Sequence, residues 1–362
     1  MGKEGLIRMS KQRKHRSRSG RVTINDVAEL SGVSIKTVSR VVNNEPNVRP
    51  ATRARVEKAV QALDYSPHPS ARGLAGTRSR MIGLIYDNPS PNYLFQATSG
   101  ALEASEAAGY GVSLLAPEKD DPDLVGSITR FLSRSRVDGL LLIPPVGDVP
   151  GVLDALDALG LPYARVAPLD GRPGIGVAID DRMAAAMVVE HLTSLGHSRI
   201  GFVTGPKNHG AARARLEGYR MGLSRSEIDF DPELVFEGRF DLASGGRAAA
   251  YFLDLERPPT AIFASNDEMA AGLLQVALDR GCRVPEQLSV AGYDDTPISR
   301  AVWPALTTVR QPIRPMMYRA TELLLDVIQR NDGDAAGSRR GVEVFEAPLV
   351  IRATTGPPPS AN

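Results

Sequence analysis

The sequence predicts an all-α helix-turn-helix head joined to a two-lobed α/β body of doubly wound parallel sheets. Three observations predict it. Residues 23–63 carry helical apolar spacing and contain no strand-like run. From Met81 onward, short continuous apolar runs alternate with helical stretches, as in parallel strands covered on both faces. That second texture fills the rest of a 362-residue chain, more than one doubly wound unit uses, so two similar lobes are expected.

The head begins at Thr23, which can cap a first helix with Asp26 three residues on as its capping-box partner. Val27, Ala28 and Leu30 are the apolar residues of that helix, and Gly32 breaks it. Ser34 caps a second helix. A third follows Pro50, a residue suited to a first helical position, and its apolar face is Val56, Ala59, Val60 and Leu63. Two short helices joined around a glycine, with a third behind, form a helix-turn-helix pattern.

On a wheel of the second helix, Val38, Val41 and Val42 fall on one side. Lys36, Arg40 and Asn43 lie opposite, with Ser39 beside them and Ile35 at the edge. Long cations beside small hydrogen-bonding groups are the mixture that reaches base edges and phosphates together. Charge agrees. Residues 1–80 carry 17 Lys and Arg against 6 Asp and Glu, a net of +11, while residues 81–362 sum to −10. A basic head on an acidic body suits a polyanionic partner. A solvated charged face on a small helical subdomain is the alternative that pattern and charge leave open.

Residues 66–79, SPHPSARGLAGTRS, hold two prolines, two glycines and several small residues, and read as a linker. In the body, MIGLIY (81–86), YGVSLL (110–115), VDGLLLI (137–143), PYARVA (162–167), RIGFVT (199–204), TAIFAS (260–265) and LSVAGY (288–293) read as strands. VEVFEAPLVIR (342–352) reads as a closing strand pair, and the tail TTGPPPSAN as frayed. The expected divisions are a basic disordered tail at 1–21, the helix-turn-helix domain at 22–65, a hinge at 66–79, the two-lobed effector and dimerisation domain at 80–352, and a disordered tail at 353–362. Met9 is an alternative start to Met1.

Open α/β lobes bind ligands at the carboxyl ends of their strands. Here MIGLIY runs into Asp87-Asn88, TAIFAS into Asn266-Asp267 and LSVAGY into Asp294-Asp295. Carboxylates and amides together with Arg215 suit a polyhydroxylated ligand. Asx residues after strands also cap helices or form turns, and that plainer role fits Asp267 and Asp295.

These residues carry a family resemblance. The stretch TINDVAELSGVSIKTVSRVVNNEPNVRPATRARVEKAVQALDYSPHPSARGLAG (23–76) resembles the head of the LacI/GalR family of bacterial transcription regulators. The likeness continues through EHLTSLGHSRIGFVTGP (190–206), RLEGYR (215–220), ASNDEMAAGLL (264–274) and AGYDDTPISRAVWPALTTVRQP (291–312). It implies a periplasmic-binding-protein-like body and a homodimer, or a tetramer, on palindromic double-stranded operator DNA. It implies that Ile35 and Lys36 choose bases, that Arg40 reaches the major groove, and that Thr37 and Ser39 face phosphate. Thr23, Ser34 and Asn43 complete the expected DNA-binding set. Leu74 in ARGLAG matches a hinge leucine that wedges a base step, with Ala71 as the small residue beside it. Residue chemistry alone leaves open that Leu74 packs on its own domain. For the body, the resemblance points to effector contact by Arg215, Asn266 and Asp294, with Phe240 against the flat face of a sugar or base. Asp87, Asn88 and Trp303 are further candidates, and His197 in LGHSRI is read as structural. The expected effector is a mono- or oligosaccharide, the alternative a purine or nucleoside corepressor.

An enzyme is not expected. The sequence holds no Walker-type loop, no GxGxxG opening a helix, no GxSxG and no HExxH. Its 5 histidines lie apart without metal-ligand spacing, and Asp180-Asp181 is a sequential pair whose side chains need not converge. A sugar-processing enzyme with a DNA-binding head is the second class, and ATP turnover would reveal it. A periplasmic sugar-binding protein is the third, opposed by the basic head and the lack of an apolar leader. No cofactor, metal or membrane partner is expected. The single cysteine, Cys282, fits a reducing bacterial cytoplasm.

Overall fold

The computed structural model describes residues 22–42, 46–65, 78–87, 90–118, 121–330 and 341–359. The chain divides into two units, residues 1–79 and 80–362.

In the first unit, α1 (Ile24–Ser31), α2 (Ile35–Val42) and α3 (Pro50–Ala62) surround one small core. The Asp26 carboxylate accepts from both the backbone N–H and the hydroxyl of Thr23, each at 2.7 Å, so the start of α1 is fixed as the sequence predicts. Gly32 ends the helix with φ 64°, where a side chain would be strained. The Ser34 hydroxyl then accepts from Thr37 N–H at 3.2 Å and opens α2. Val27, Val38, Val41 and Val56 are buried together, so packing rather than propensity holds the valine-rich α2. Leu30 departs from the expectation. It is exposed, because α1 turns only one narrow stripe inward.

The second unit has two lobes. The first contains β1 (Met81–Ile85), α4 (Pro91–Ala107), β2 (Gly111–Leu115), α5 (Leu124–Ser135), β3 (Gly139–Leu142), α6 (Pro150–Ala158), β4 (Tyr163–Val166) and β5 (Ile175–Ile179). The second contains α7 (Asp181–Ser194), β6 (Ile200–Thr204), α8 (Gly210–Arg225), β7 (Val235–Glu237), α9 (Leu242–Leu253), β8 (Ala261–Ala264), α10 (Asp267–Asp279), β9 (Ser289–Asp294), α11 (Ile298–Ala301) and β10 (Thr307–Arg310). The chain returns to the first lobe as α12 (Ile313–Arg330), which packs on α4, β3, β4 and β5. It finishes with β11 (Val342–Phe345) and β12 (Leu349–Val350).

The sheets run β11-β5-β4-β3-β1-β2 and β12-β10-β9-β8-β6-β7. Every pairing is parallel except β10 with β12. All seven predicted body strands form. Three others escape the sequence reading: β7 and β10 are short and mixed in polarity, and β5 follows β4 with no helix between them, outside the strand–helix alternation. VEVFEAPLVIR is not a closing pair. β11 adds to the first sheet and β12 to the second, so the segment crosses between lobes. The tail is likewise not frayed over its described part. Thr354 is fully buried, its carbonyl accepts from Val290 N–H at 2.8 Å, and its hydroxyl accepts from Thr307 N–H at 2.9 Å. His197 adds to this anchoring. Its ring meets Thr260 at 2.8 Å, Ser289 at 3.1 Å and the Gly356 carbonyl at 2.8 Å, which is the structural role expected of it.

Candidate nucleic-acid interface and ligand cleft

The outer side of α2 carries most of the residues expected to face DNA. Ile35, Lys36 and Arg40 are exposed, Thr37 and Ser39 are half-buried, and Ser34 is exposed at the helix start. Ile35 keeps 50 % of its surface in solvent although it is a large apolar residue at the entry to the helix. An exposed β-branched side chain beside cations suits apolar contact with a base edge such as a thymine methyl. Thr23 is bound up in its capping box and serves the head as a cap. Asn43, Ala71, Leu74 and Asn88 lie outside the described residues.

The body places a cleft where the strand ends of both sheets meet. Its walls come from Ser90 after β1, Pro144 after β3, Ala167 after β4, Asp181 after β5, His209 and Ala211 after β6, and Phe240 after β7. Asn266 after β8, Asp294 at the end of β9 and Gln311 after β10 complete it, with Tyr93 and Arg215 from α4 and α8. The carboxyl-end rule of open α/β sheets thus selects the site.

Arg215 is the centre of its polar wall. It is 5 % exposed, donates Nε–H to Asp181 at 2.7 Å and Nη1–H to the Ser265 carbonyl, and holds Nη1 3.9 Å from Asp294. Its guanidinium carbon lies 3.7 Å from the centre of the Tyr293 ring, whose hydroxyl donates to Asp181 at 2.9 Å. Burial works against the charge, but Asp181, Tyr293 and Asp294 outweigh it and hold Arg215 firmly protonated. Burial pushes the Asp294 carboxyl well above the usual range, with Arg215 opposing and Asp267 and Glu268 reinforcing. Gln311 donates to the same Asp294 oxygen.

Backbone conformation concentrates here. Phe240, Asp294 and Asp295 have φ of 60°, 112° and 53°, a region costly for side-chain-bearing residues. The Phe240 ring lies over Gly205, where a Cβ would come within 2.1 Å of it. Only glycine admits the ring there.

Arg215, Phe240, Asn266 and Asp294 therefore come together as expected. Asp87 and Trp303 do not join them. Asp87 is half-buried off the cleft wall. Trp303 is 85 % exposed because the one-turn α11 delivers it to solvent. Capping is also redistributed. Asn266, not Asp267, caps α10, accepting from Met269 N–H at 2.9 Å. Asp267 instead braces the β9 loop, accepting from Thr296 N–H at 2.7 Å and the Thr308 hydroxyl at 2.6 Å, and burial lifts it to about 7. Asp295 anchors Arg300, Arg310 and Arg352.

Sequence reasoning missed Asp181, Gln311, His209, Tyr93 and Ser90. Asp181 and Gln311 follow β5 and β10, two strands it did not predict, so their strand-end position gave no signal. Ser90 and Tyr93 sit at the start of α4. His209 lies in a loop with no periodicity to mark it.

Comparison with known proteins decides the family. Residues 23–68 match the model for bacterial regulatory proteins of the lacI family, and residues 189–355 match the periplasmic binding protein-like domain. The HTH-type transcriptional repressor PurR of Haemophilus influenzae (strain PittEE) is 33% identical over 86% of this chain and 92% of its own. The chain belongs to the lacI family. As a member it is a DNA-binding transcriptional regulator that answers to a small-molecule effector. Among solved structures, the lac repressor dimer bound to operator and the anti-inducer ONPF superposes with a TM-score of 0.81 at 31% identity, over 93% of this chain and 99% of that one. The transcriptional regulator CelR in complex with cellobiose gives a TM-score of 0.70 at 29% identity, over 92% and 100%. The lacI-family match covers the head with its exposed α2, and the binding-protein match covers the second-lobe wall of the cleft.

Proposed function

We propose that this regulator is a repressor that binds a palindromic operator as a homodimer and is released or modulated by a sugar held in the interlobe cleft. Ile35, Lys36 and Arg40 read the bases, with Thr37 and Ser39 toward phosphate. One head of this size buries roughly 600–1,000 Å² on DNA, too little for strong selection, and two heads on a two-fold axis double it. The lac repressor relative is a dimer on its operator, which supports the same arrangement here.

The observation that carries the effector reading is the cleft wall itself. Arg215, Asn266, Asp294 and Gln311 offer donors and acceptors on one side, and Phe240 offers a flat apolar surface beside them. That pairing suits a ring with hydroxyls at its edge and C–H groups on its face. The CelR relative holds cellobiose, which favours a carbohydrate. A purine is the second reading, favoured by the PurR relatives, since an aromatic platform also stacks a base.

A thermal-shift screen of sugars, nucleobases and nucleosides tests the reading, because a ligand of the folded state raises its apparent stability. A sugar that raises Tm and changes operator affinity supports it. Stabilisation by purines alone makes this a purine-responsive regulator.

A further inference from the structure

Arg215, Asn266 and Asp294 are each held by partners within the protein, whereas His209 is not. Arg215 is bound to Asp181 and Ser265, Asn266 to Met269, Phe240 and Glu268, and Asp294 to Gln311. His209 is 9 % exposed, lines the cleft, and has no hydrogen-bond partner on either ring nitrogen. Its ring meets the edge of Phe240 at 5.1 Å and 73°. Buried polar groups without partners are rare and costly, so an orphaned imidazole facing a binding cleft calls for an occupant.

Building on the sugar reading above, we infer that His209 sets the specificity of the cleft, binding paired hydroxyls of an uncharged sugar and excluding its phosphorylated and carboxylated analogues. The imidazole has one ring N–H to donate and one bare nitrogen to accept with. Hydroxyl groups both donate and accept, so two neighbouring ones satisfy both nitrogens. Phosphates and carboxylates only accept, and would leave the bare nitrogen facing a like lone pair.

Charge points the same way. Among the described lining residues Arg215 is the one permanent cation, and Asp181 already pairs with it at 2.7 Å. Burial, with Arg215 adding to it and Asp181 opposing, pushes the His209 imidazole down to about 4, so it brings no second positive charge near neutrality. An anionic ligand would lose its hydration and find only a guanidinium already shared with Asp181.

Thermal-shift and calorimetric titrations of the full-length chain test this with named probes. They are cellobiose, glucose and further neutral mono- and disaccharides, glucose 6-phosphate and the matching phosphates and sugar acids, and adenine and guanine. The variants are His209→Leu and His209→Gln. The expected result is stabilisation by at least one neutral sugar and at least tenfold weaker binding of its phosphate. His209→Leu should raise the Tm of the unliganded protein, because an orphaned polar group is replaced by an apolar one. The same variant should weaken the neutral sugar tenfold or more, and His209→Gln should restore part of that loss.

A neutral sugar bound equally well by wild type and His209→Leu, or a sugar phosphate bound as tightly as the sugar, overturns the inference while leaving the sugar reading intact. A lower unliganded Tm in His209→Leu with unchanged sugar affinity makes His209 structural. Stabilisation by purines alone, or by no probe, overturns the sugar reading and this inference with it.

Discussion

The hydroxyl of Ser90, at the start of α4 in the first lobe, donates to the carboxylate of Glu268, on α10 in the second, at 2.8 Å. Asn92 reaches the same oxygen at 3.5 Å, and Asn266 holds the other at 3.0 Å. A buried hydrogen bond thus ties the lobes together at the cleft wall. The water-accessible space within the cleft is about 40 Å³, above the roughly 10–15 Å³ that a single water needs. This tie opposes any parting of the lobes.

The tie is measurable by a double-mutant cycle. Ser90→Ala, Glu268→Gln and the double variant should show a coupling of about 1 kcal/mol or more in urea unfolding, within the 0.5–3 kcal/mol typical of contacting residues. Strictly additive effects would mean that the bond is not made in solution.

For the head, Lys36→Ala should change base preference at particular half-site positions by about 1–3 kcal/mol, as loss of a base-edge contact does. Binding to a library of half-site variants reads this out. Equal weakening across all sequences would make Lys36 a phosphate contact.

Arg215 joins ligand response to stability. Removing it leaves Asp181 buried without its cation, so Arg215→Ala should lower stability by about 3–5 kcal/mol as well as abolish the effector response. Denaturant unfolding beside the ligand-induced change in operator affinity separates the two. An Ala variant of wild-type stability would mean that the Asp181 pair contributes little.

Asp295 supplies a pH dependence. Its side chain is 1 % exposed, and although burial opposes its charge, Arg310, Arg352 and Arg300 hold it at about 2. A carboxyl depressed from 3.8 contributes stability that is present above about 4 and lost as pH falls toward 2. Asp295→Asn should therefore lower Tm at neutral pH and flatten the decline of Tm between about pH 4 and 2. An unchanged acid limb would show that the three arginines do not stabilise its charge.

Much of this was legible in the sequence, for identifiable reasons. The capping box at Thr23 and Asp26, the break at Gly32 and the valine seam are local signals, and each forms as read. The apolar strands β1, β6, β8 and β9, set apart by helical stretches, announced the doubly wound lobes and the strand ends bearing Asn266 and Asp294. β10 is short and mixed in polarity, and β5 follows β4 with no helix between them, so both went unseen, and Asp181 and Gln311 with them. The destination of β11 and β12 was illegible because partner choice is a long-range property. The packed tail was hidden for the same reason, since a proline-rich end looks frayed until Thr354 finds β9 and β10. The orphaned nitrogens of His209 are a property of surroundings, which no spacing records.

The proposed function makes a sugar in the cleft control the grip of α2 on DNA. Its most direct test is the affinity of the full-length chain for a DNA site that it selects from a random pool. That affinity is measured by anisotropy with and without the sugar that most raises Tm. The expected result is a palindromic site and a change in Kd of about 5–150-fold at saturating sugar, the usual range of allosteric coupling. A selected site without two-fold symmetry, or a Kd that saturating sugar leaves unchanged, would contradict it.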